Sequence, residues 1–121
     1  MNDTTTIADR YIAAWNEADP ARRRAALDAV LAPGATYVDP MMRGAGVAEI
    51  DGLIAAAQAK FQGLRFARIG RADGHGQHVR FSWALGPADG ESLVEGTDIA
   101  RVENGRMTEI VGFLDKVPAG A

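Results

Sequence analysis

Residues 92–115 read SLVEGTDIARVENGRMTEIVGFLD, and this stretch decides the fold. Two apolar segments flank Asn104-Gly105, the kind of dipeptide that favours a tight hairpin because both positions tolerate positive φ. The spacing predicts strands over about Ser92–Val102 and Arg106–Asp115. In the first, Val94, Gly96, Asp98, Ala100 and Val102 share one face, while Leu93, Glu95, Thr97, Ile99 and Arg101 share the other. Asp98 is the anomaly. A carboxyl group among Val, Gly and Ala must be paired or shift its pKa. Small neighbours leave room above it, so Asp98 is the first candidate to line a pocket, although a structural buried acid has the same pattern.

Working outward, Asp73-Gly74 and Pro87–Gly90 punctuate two further strands, about Arg65–Ala72 and His78–Leu85. The second places Val79, Phe81, Trp83 and Leu85 on one face. The first half of the chain reads as helix. Ile7, Tyr11, Ala14, Trp15 and Ala18 form one stripe at helical spacing. Asp19-Pro20 suits an N-cap followed by a first helical residue, and a second helix runs to about Leu31, ended by Pro33-Gly34. A short strand, Ala35–Asp39, stops at Pro40, which cannot donate to a central ladder. After a loop over Met41–Gly46, Val47, Ile50, Leu53, Ile54, Ala57 and Phe61 trace a third helix closed by Gly63. The expected fold class is α+β: three N-terminal helices packed on a strongly curved, mostly antiparallel sheet of five strands, forming a cone with an internal pocket.

The 121 residues suit a single domain over 1–121 with one core. At 47% hydrophobic and 24% charged, with a formal net charge of −3, the chain has no general attraction for nucleic acid or an anionic membrane. It has no cysteine, which excludes disulfides and thiolate chemistry. The start, Met1 to Thr6, is polar and unlike a signal peptide, and no apolar run is long enough to span a bilayer. A cytoplasmic protein is expected.

Tyr11-Ile12-Ala13-Ala14-Trp15, Tyr37-Val38-Asp39-Pro40, Gly96-Thr97-Asp98-Ile99-Ala100-Arg101 and Asn104-Gly105-Arg106-Met107, in this order of elements, resemble the nuclear-transport-factor-2-like superfamily. Within it the chain is most similar to the SnoaL-like polyketide cyclase and ketosteroid isomerase branch, from about Ile7 to Pro118. The resemblance implies three catalytic positions. Asp39 falls where ketosteroid isomerases place the proton-shuttling base, Tyr11 where they place an oxyanion-hole tyrosine, and Asp98 where they keep a protonated, hydrogen-bond-donating acid. Two features depart from the isomerases. Trp15 is bulky for a steroid pocket, and the segment between Tyr11 and Asp39 is long. The Trp15-Asn16, Asp19 and Arg23 pattern is closer to SnoaL-like proteins of unassigned function.

The pocket walls are expected to include Trp15, Tyr37, Phe61, Phe81 and Trp83, facing a small hydrophobic, cyclic or carbonyl-bearing molecule. Cofactor-independent isomerase- or cyclase-type chemistry through an enolate would use Asp39, Tyr11 and Asp98. A non-catalytic ligand-binding or dimerisation module of the same fold fits the same residues, and dehydratase or epoxide hydrolase chemistry is a further alternative. A homodimer through the outer sheet face, with Ile99, Val111 and Phe113 in contact, is the expected assembly. His75 and His78 have a chelating spacing but no third ligand nearby, so neither a metal nor a cofactor is expected. Arg22-Arg23-Arg24 reads as a solvated helix face, with Asp28 one turn beyond Arg24. Gly44-Ala45-Gly46 lacks the third glycine of a dinucleotide loop, and no Gly-x-Ser-x-Gly elbow supports a serine hydrolase.

Overall fold

A computed structural model describes residues 3–118. The polar positions Met1 and Asn2, and the ends of the expected 1–121 domain, lie outside the described residues. Two helices, α1 (Asp3–Asn16) and α2 (Pro20–Val30), precede strand β1 (Leu31–Val38) and the short strand β2 (Arg43–Ala45). Helix α3 (Val47–Lys60) then leads into β3 (Arg65–His75), β4 (His78–Gly86), β5 (Val94–Glu103) and β6 (Arg106–Lys116). The sheet order is β2-β1-β6-β5-β4-β3. β1 runs parallel to β6, and every other neighbouring pair is antiparallel. The result is the expected α+β arrangement, with three helices on a strongly curved, open, mixed sheet.

Local chemistry explains most of the boundaries. Asp19 caps α2 by accepting the Arg22 backbone N–H at 2.9 Å, with Pro20 as first helical residue. Asn104 (φ 53°) and Gly105 (φ 78°) both adopt the left-handed conformation between β5 and β6, as a primed hairpin turn requires. The core forms where α1, α2 and α3 meet the inner sheet face, around Leu27, Ile50, Ile54, Phe81, Met107 and Ile110. β5 alternates as expected, with Val94, Gly96, Asp98 and Ala100 buried. Register shifts within β3, between Ile69 and Asp73, and at two points along β5–β6 bend the strands, as irregular pairings generally do. Among the described residues no helix is long and apolar enough to cross a membrane.

Four expectations need correction. The sheet has six strands, because Arg43–Ala45, read as loop, pairs with Thr36–Val38; a three-residue strand holding a glycine carries no alternation signal. Pro33-Gly34 does not end α2 but lies within β1, in the stretch between Leu31 and Thr36 where the ladder to β6 lapses, so the missing Pro33 N–H breaks no ladder bond. Asp73-Gly74 is strand, paired with Arg80 and Val79, and the chain reverses after His75 instead. There Gly76 (φ 57°) takes the left-handed conformation.

Arg23 is not solvated. It is 5% exposed and donates to Asp51 at 2.6 Å, Gln58 at 3.0 Å and the Glu17 carbonyl at 3.1 Å. Gln58 in turn donates to the carbonyls of Trp15 and Glu17. One guanidinium thereby ties the three helices together, because a buried cation must be fully paired.

Candidate functional site

Five elements deliver the candidate residues to one place. Tyr11 and Trp15 stand one turn apart on α1, so they share a face. Tyr37 closes on Asp39 through the two-residue period of β1 continued one step past its end. Phe81 and Trp83 come from β4, and Asp98 from β5. Phe61 follows the last turn of α3. All eight border one cavity of about 700 Å³ between the helices and the sheet.

The two acids are held differently. Asp39 Oδ2 accepts the Tyr37 hydroxyl at 2.6 Å, and Oδ1 accepts the backbone N–H groups of Met41 at 2.8 Å and Met42 at 2.9 Å. It therefore serves a tight turn and faces the cavity at once. Asp98 is only 3% exposed, and Oδ1 accepts the Trp83 indole N–H at 3.1 Å. Oδ2 has no hydrogen-bond partner among the described residues. Burial pushes the Asp98 carboxyl up to about 7; the Trp83 N–H opposes the rise and the charge of Asp39 adds to it. Neither acid forms an ion pair among the described residues.

Gly112 faces Asp98 across β5–β6. A Cβ at that position would lie 3.0 Å from Asp98 Oδ1, 3.3 Å from Asp39 Cβ and 3.5 Å from the Tyr37 hydroxyl. Both acids and one phenol thus surround the volume of a single missing methyl group.

The phenols are donors. Burial raises the Tyr11 pKa well above the usual phenol range, with a further push from Asp98. Tyr37 is raised by burial, then by its neighbours Tyr11 and Asp98 and by its bond to Asp39. The Tyr11 hydroxyl and the Trp15 Nε1 are buried without a hydrogen-bond partner among the described residues. The indole is near enough to favour a Tyr11 anion slightly, yet the two groups do not meet in hydrogen-bond geometry. Both rings also pack edge-on, Tyr11 against Trp15 at 6.2 Å and against Phe81 at 5.9 Å.

Residues 8–110 match the family model of the SnoaL-like domain. The chain belongs to that family. A structure from Agrobacterium tumefaciens, provisionally named an isomerase of the SnoaL-like family, is 46% identical with a TM-score of 0.89, over 95% of this chain and 99% of that one. A nuclear-transport-factor-2-like protein of unknown function from Mesorhizobium loti is 26% identical (TM-score 0.69, 94% and 92% covered). A protein from Kribbella flavida provisionally named a ketosteroid isomerase shares 19% identity (TM-score 0.71, 99% and 83% covered) and so shows a common fold. No curated protein matches the sequence.

Sequence reasoning missed several residues that line the cavity of this SnoaL-like domain, Phe66 and Met42 among them, and the part played by Asn16. Phe66 bridges Trp15 and Trp83, with ring centroids 5.3 and 5.6 Å away. Its strand carries arginines on both faces, which hides the parity; pairing with inward-facing Leu85 reveals it. Asn16 holds α1 to that strand, accepting the Phe66 N–H and donating to its carbonyl, each at 2.8 Å. The Asn after Trp15 was the available signal. His75 and His78 pair across the end of the β3–β4 hairpin with ring centroids 6.3 Å apart, outside this cavity. Among the described residues no group of three or more His, Cys, Asp or Glu is placed to hold a metal.

Proposed function

We propose that this SnoaL-like domain binds a small hydrophobic, cyclic or carbonyl-bearing molecule in the cavity and performs cofactor-independent acid/base chemistry of isomerase or cyclase type. The reading rests on one observation: Asp39, Asp98 and Tyr11 border the same largely apolar cavity, with neither acid diverted into an ion pair. The provisional naming of the Agrobacterium tumefaciens relative as an isomerase agrees with it.

In this reading Asp39 Oδ2 removes a proton from the carbon beside the carbonyl, while Tyr37 and the turn amides hold the carboxylate in place. The C–H electrons pass to the carbonyl oxygen, and Tyr11 with protonated Asp98 donates hydrogen bonds to the enolate oxygen. An isomerase returns the proton to another carbon; a cyclase lets the enolate carbon attack a second carbonyl. The unpaired Tyr11 hydroxyl supports the assignment, since a buried donor without an acceptor costs about 1–3 kcal/mol and a ligand oxygen would relieve that cost.

Titration with a planar phenol such as 2-naphthol, followed by the fluorescence of Trp15 and Trp83, tests this directly. Saturable binding that weakens by about 1–3 kcal/mol in Tyr11→Phe is expected. Binding indifferent to Tyr11→Phe would remove the oxyanion site. No saturable binding would leave the non-catalytic module as the better account.

The outer sheet face supports a second, compatible reading as a homodimer. Val38 (42% exposed) and Ile99 (38%) flank Val111 in one row across β1, β6 and β5, with Phe113 (51%) beside them. Such a patch can meet a second copy of itself about a two-fold axis. Sedimentation equilibrium should give a dimer that Phe113→Glu splits; a wild-type monomer would exclude it.

A further inference from the structure

Resting on the reading of Asp98 as a cavity acid, we infer that Trp83 is a positioning residue that fixes the Asp98 proton on Oδ2, and that its place depends on glycine at position 96. An indole N–H can donate and cannot accept. Placed 3.1 Å from Oδ1, it requires that oxygen to remain an acceptor in both protonation states. The proton of the neutral acid therefore sits on Oδ2, the oxygen that no described residue occupies. Trp83 thus decides which oxygen of Asp98 donates to a ligand.

Backbone proximity holds the indole there. Trp83 faces Gly96 across β4–β5. A Cβ on residue 96 would overlap the Trp83 Cζ2, and would come within 2.7 Å of Trp83 Cε2 and 2.7 Å of the Phe113 carbonyl oxygen. The ring rests directly on the bare β5 backbone, and its nitrogen meets the side chain two residues further along. Phe66 packs against the ring edge-on, at 5.6 Å and 65°, so the indole is supported from β3 as well. The groups facing Asp98 are then Trp83 on β4, Tyr11 on α1, Asp39 and Tyr37 from β1, and Gly112 on β6.

Proton–nitrogen correlation spectra of the two indole N–H groups across pH 5–9 test the inference. The Trp83 signal, identified by its loss in Trp83→Phe, should titrate with a midpoint near 7 and should stop titrating in Asp98→Asn. In Gly96→Ala the signal should persist without titrating, because the ring is displaced from the carboxyl. Carbon detection of the Asp98 carboxyl should show its midpoint rise in Gly96→Ala, since the donor that favours the charged form has moved away. A Trp83 signal flat across the range in wild type, or one that titrates unchanged in Asp98→Asn, overturns the assignment; both outcomes are read on wild type and Asp98→Asn, so neither depends on the folding of Gly96→Ala. Saturable 2-naphthol binding beside a flat Trp83 signal would overturn this inference and leave the cavity reading intact. A titrating Trp83 signal without naphthol binding would uphold the inference and remove the proposed function.

Discussion

Replacing Asp98 by Asn should make the domain more stable at neutral pH and not at acid pH. The folded-state pKa of about 7 lies above the value of about 3.9 expected in the unfolded chain. Between these values the folded protein holds a proton that the unfolded chain has released. Stability contributed by that proton is complete below pH 4, declines as pH rises through the window, and is gone above about 7. Three pH units correspond to about 4 kcal/mol. The amide in Asp98→Asn keeps an acceptor for the Trp83 N–H and never ionises, so that variant escapes the decline. Urea denaturation of both proteins from pH 4 to 8 measures the effect. Other carboxylates cancel in the difference, which should move in favour of the Asn variant by about 4 kcal/mol across the range. A pH-independent difference would refute the burial argument, because an acid with an ordinary pKa contributes no such slope.

Gly112→Ala should weaken 2-naphthol binding in the fluorescence titration by about 1–3 kcal/mol, the usual cost of overpacking, since the methyl enters the space between Asp98, Asp39 and Tyr37. Unchanged affinity would mean that this space is not where the ring binds. Arg23→Met should lower stability by about 2–3 kcal/mol in urea denaturation, because Asp51 and Gln58 lose the cation that they meet in the helix interface; an effect under about half a kcal/mol would show that the network is dispensable. Asp39→Ala should cost about 1–3 kcal/mol of stability by abandoning three donors, and Asp39→Asn, which keeps an acceptor, distinctly less. Equal losses would show that charge, not turn geometry, is what the fold needs from this residue.

The inward face of β5 was legible because a two-residue period is strict: once Val94 and Ala100 are inside, Asp98 must be inside too. The primed turn at Asn104-Gly105 was legible for a similar reason, since few dipeptides tolerate both φ values. Pro33 misled because its usual meaning, the end of a helix, competes with a rarer one. Here it occupies a lapse in the β1–β6 ladder, which only the tertiary pairing creates. Arg23 misled in the same way. Three successive arginines give no indication which one points inward, and that is settled by where Asp51 and Gln58 lie on α3, a relation between elements rather than within one.

For the candidate site, strand parity brought out Asp98 and the family resemblance brought out Tyr11 and Asp39, but the unmet polar groups could be seen only in three dimensions. The fold forgoes stability at several points that share one cavity. Asp98 is kept from ionising freely, and the Tyr11 hydroxyl and Trp15 Nε1 are buried without acceptors among the described residues. Two strand positions, 96 and 112, carry glycines whose side-chain volume is taken by Trp83 and by the acids, although glycine weakens a strand interior. Scattered through a protein, such costs would be unremarkable. Gathered around one apolar space, they are hard to attribute to packing, because an apolar residue at 98 and a phenylalanine at 11 would remove two of them and stabilise the domain. That concentration is the physical ground for the proposal that the cavity takes a ligand.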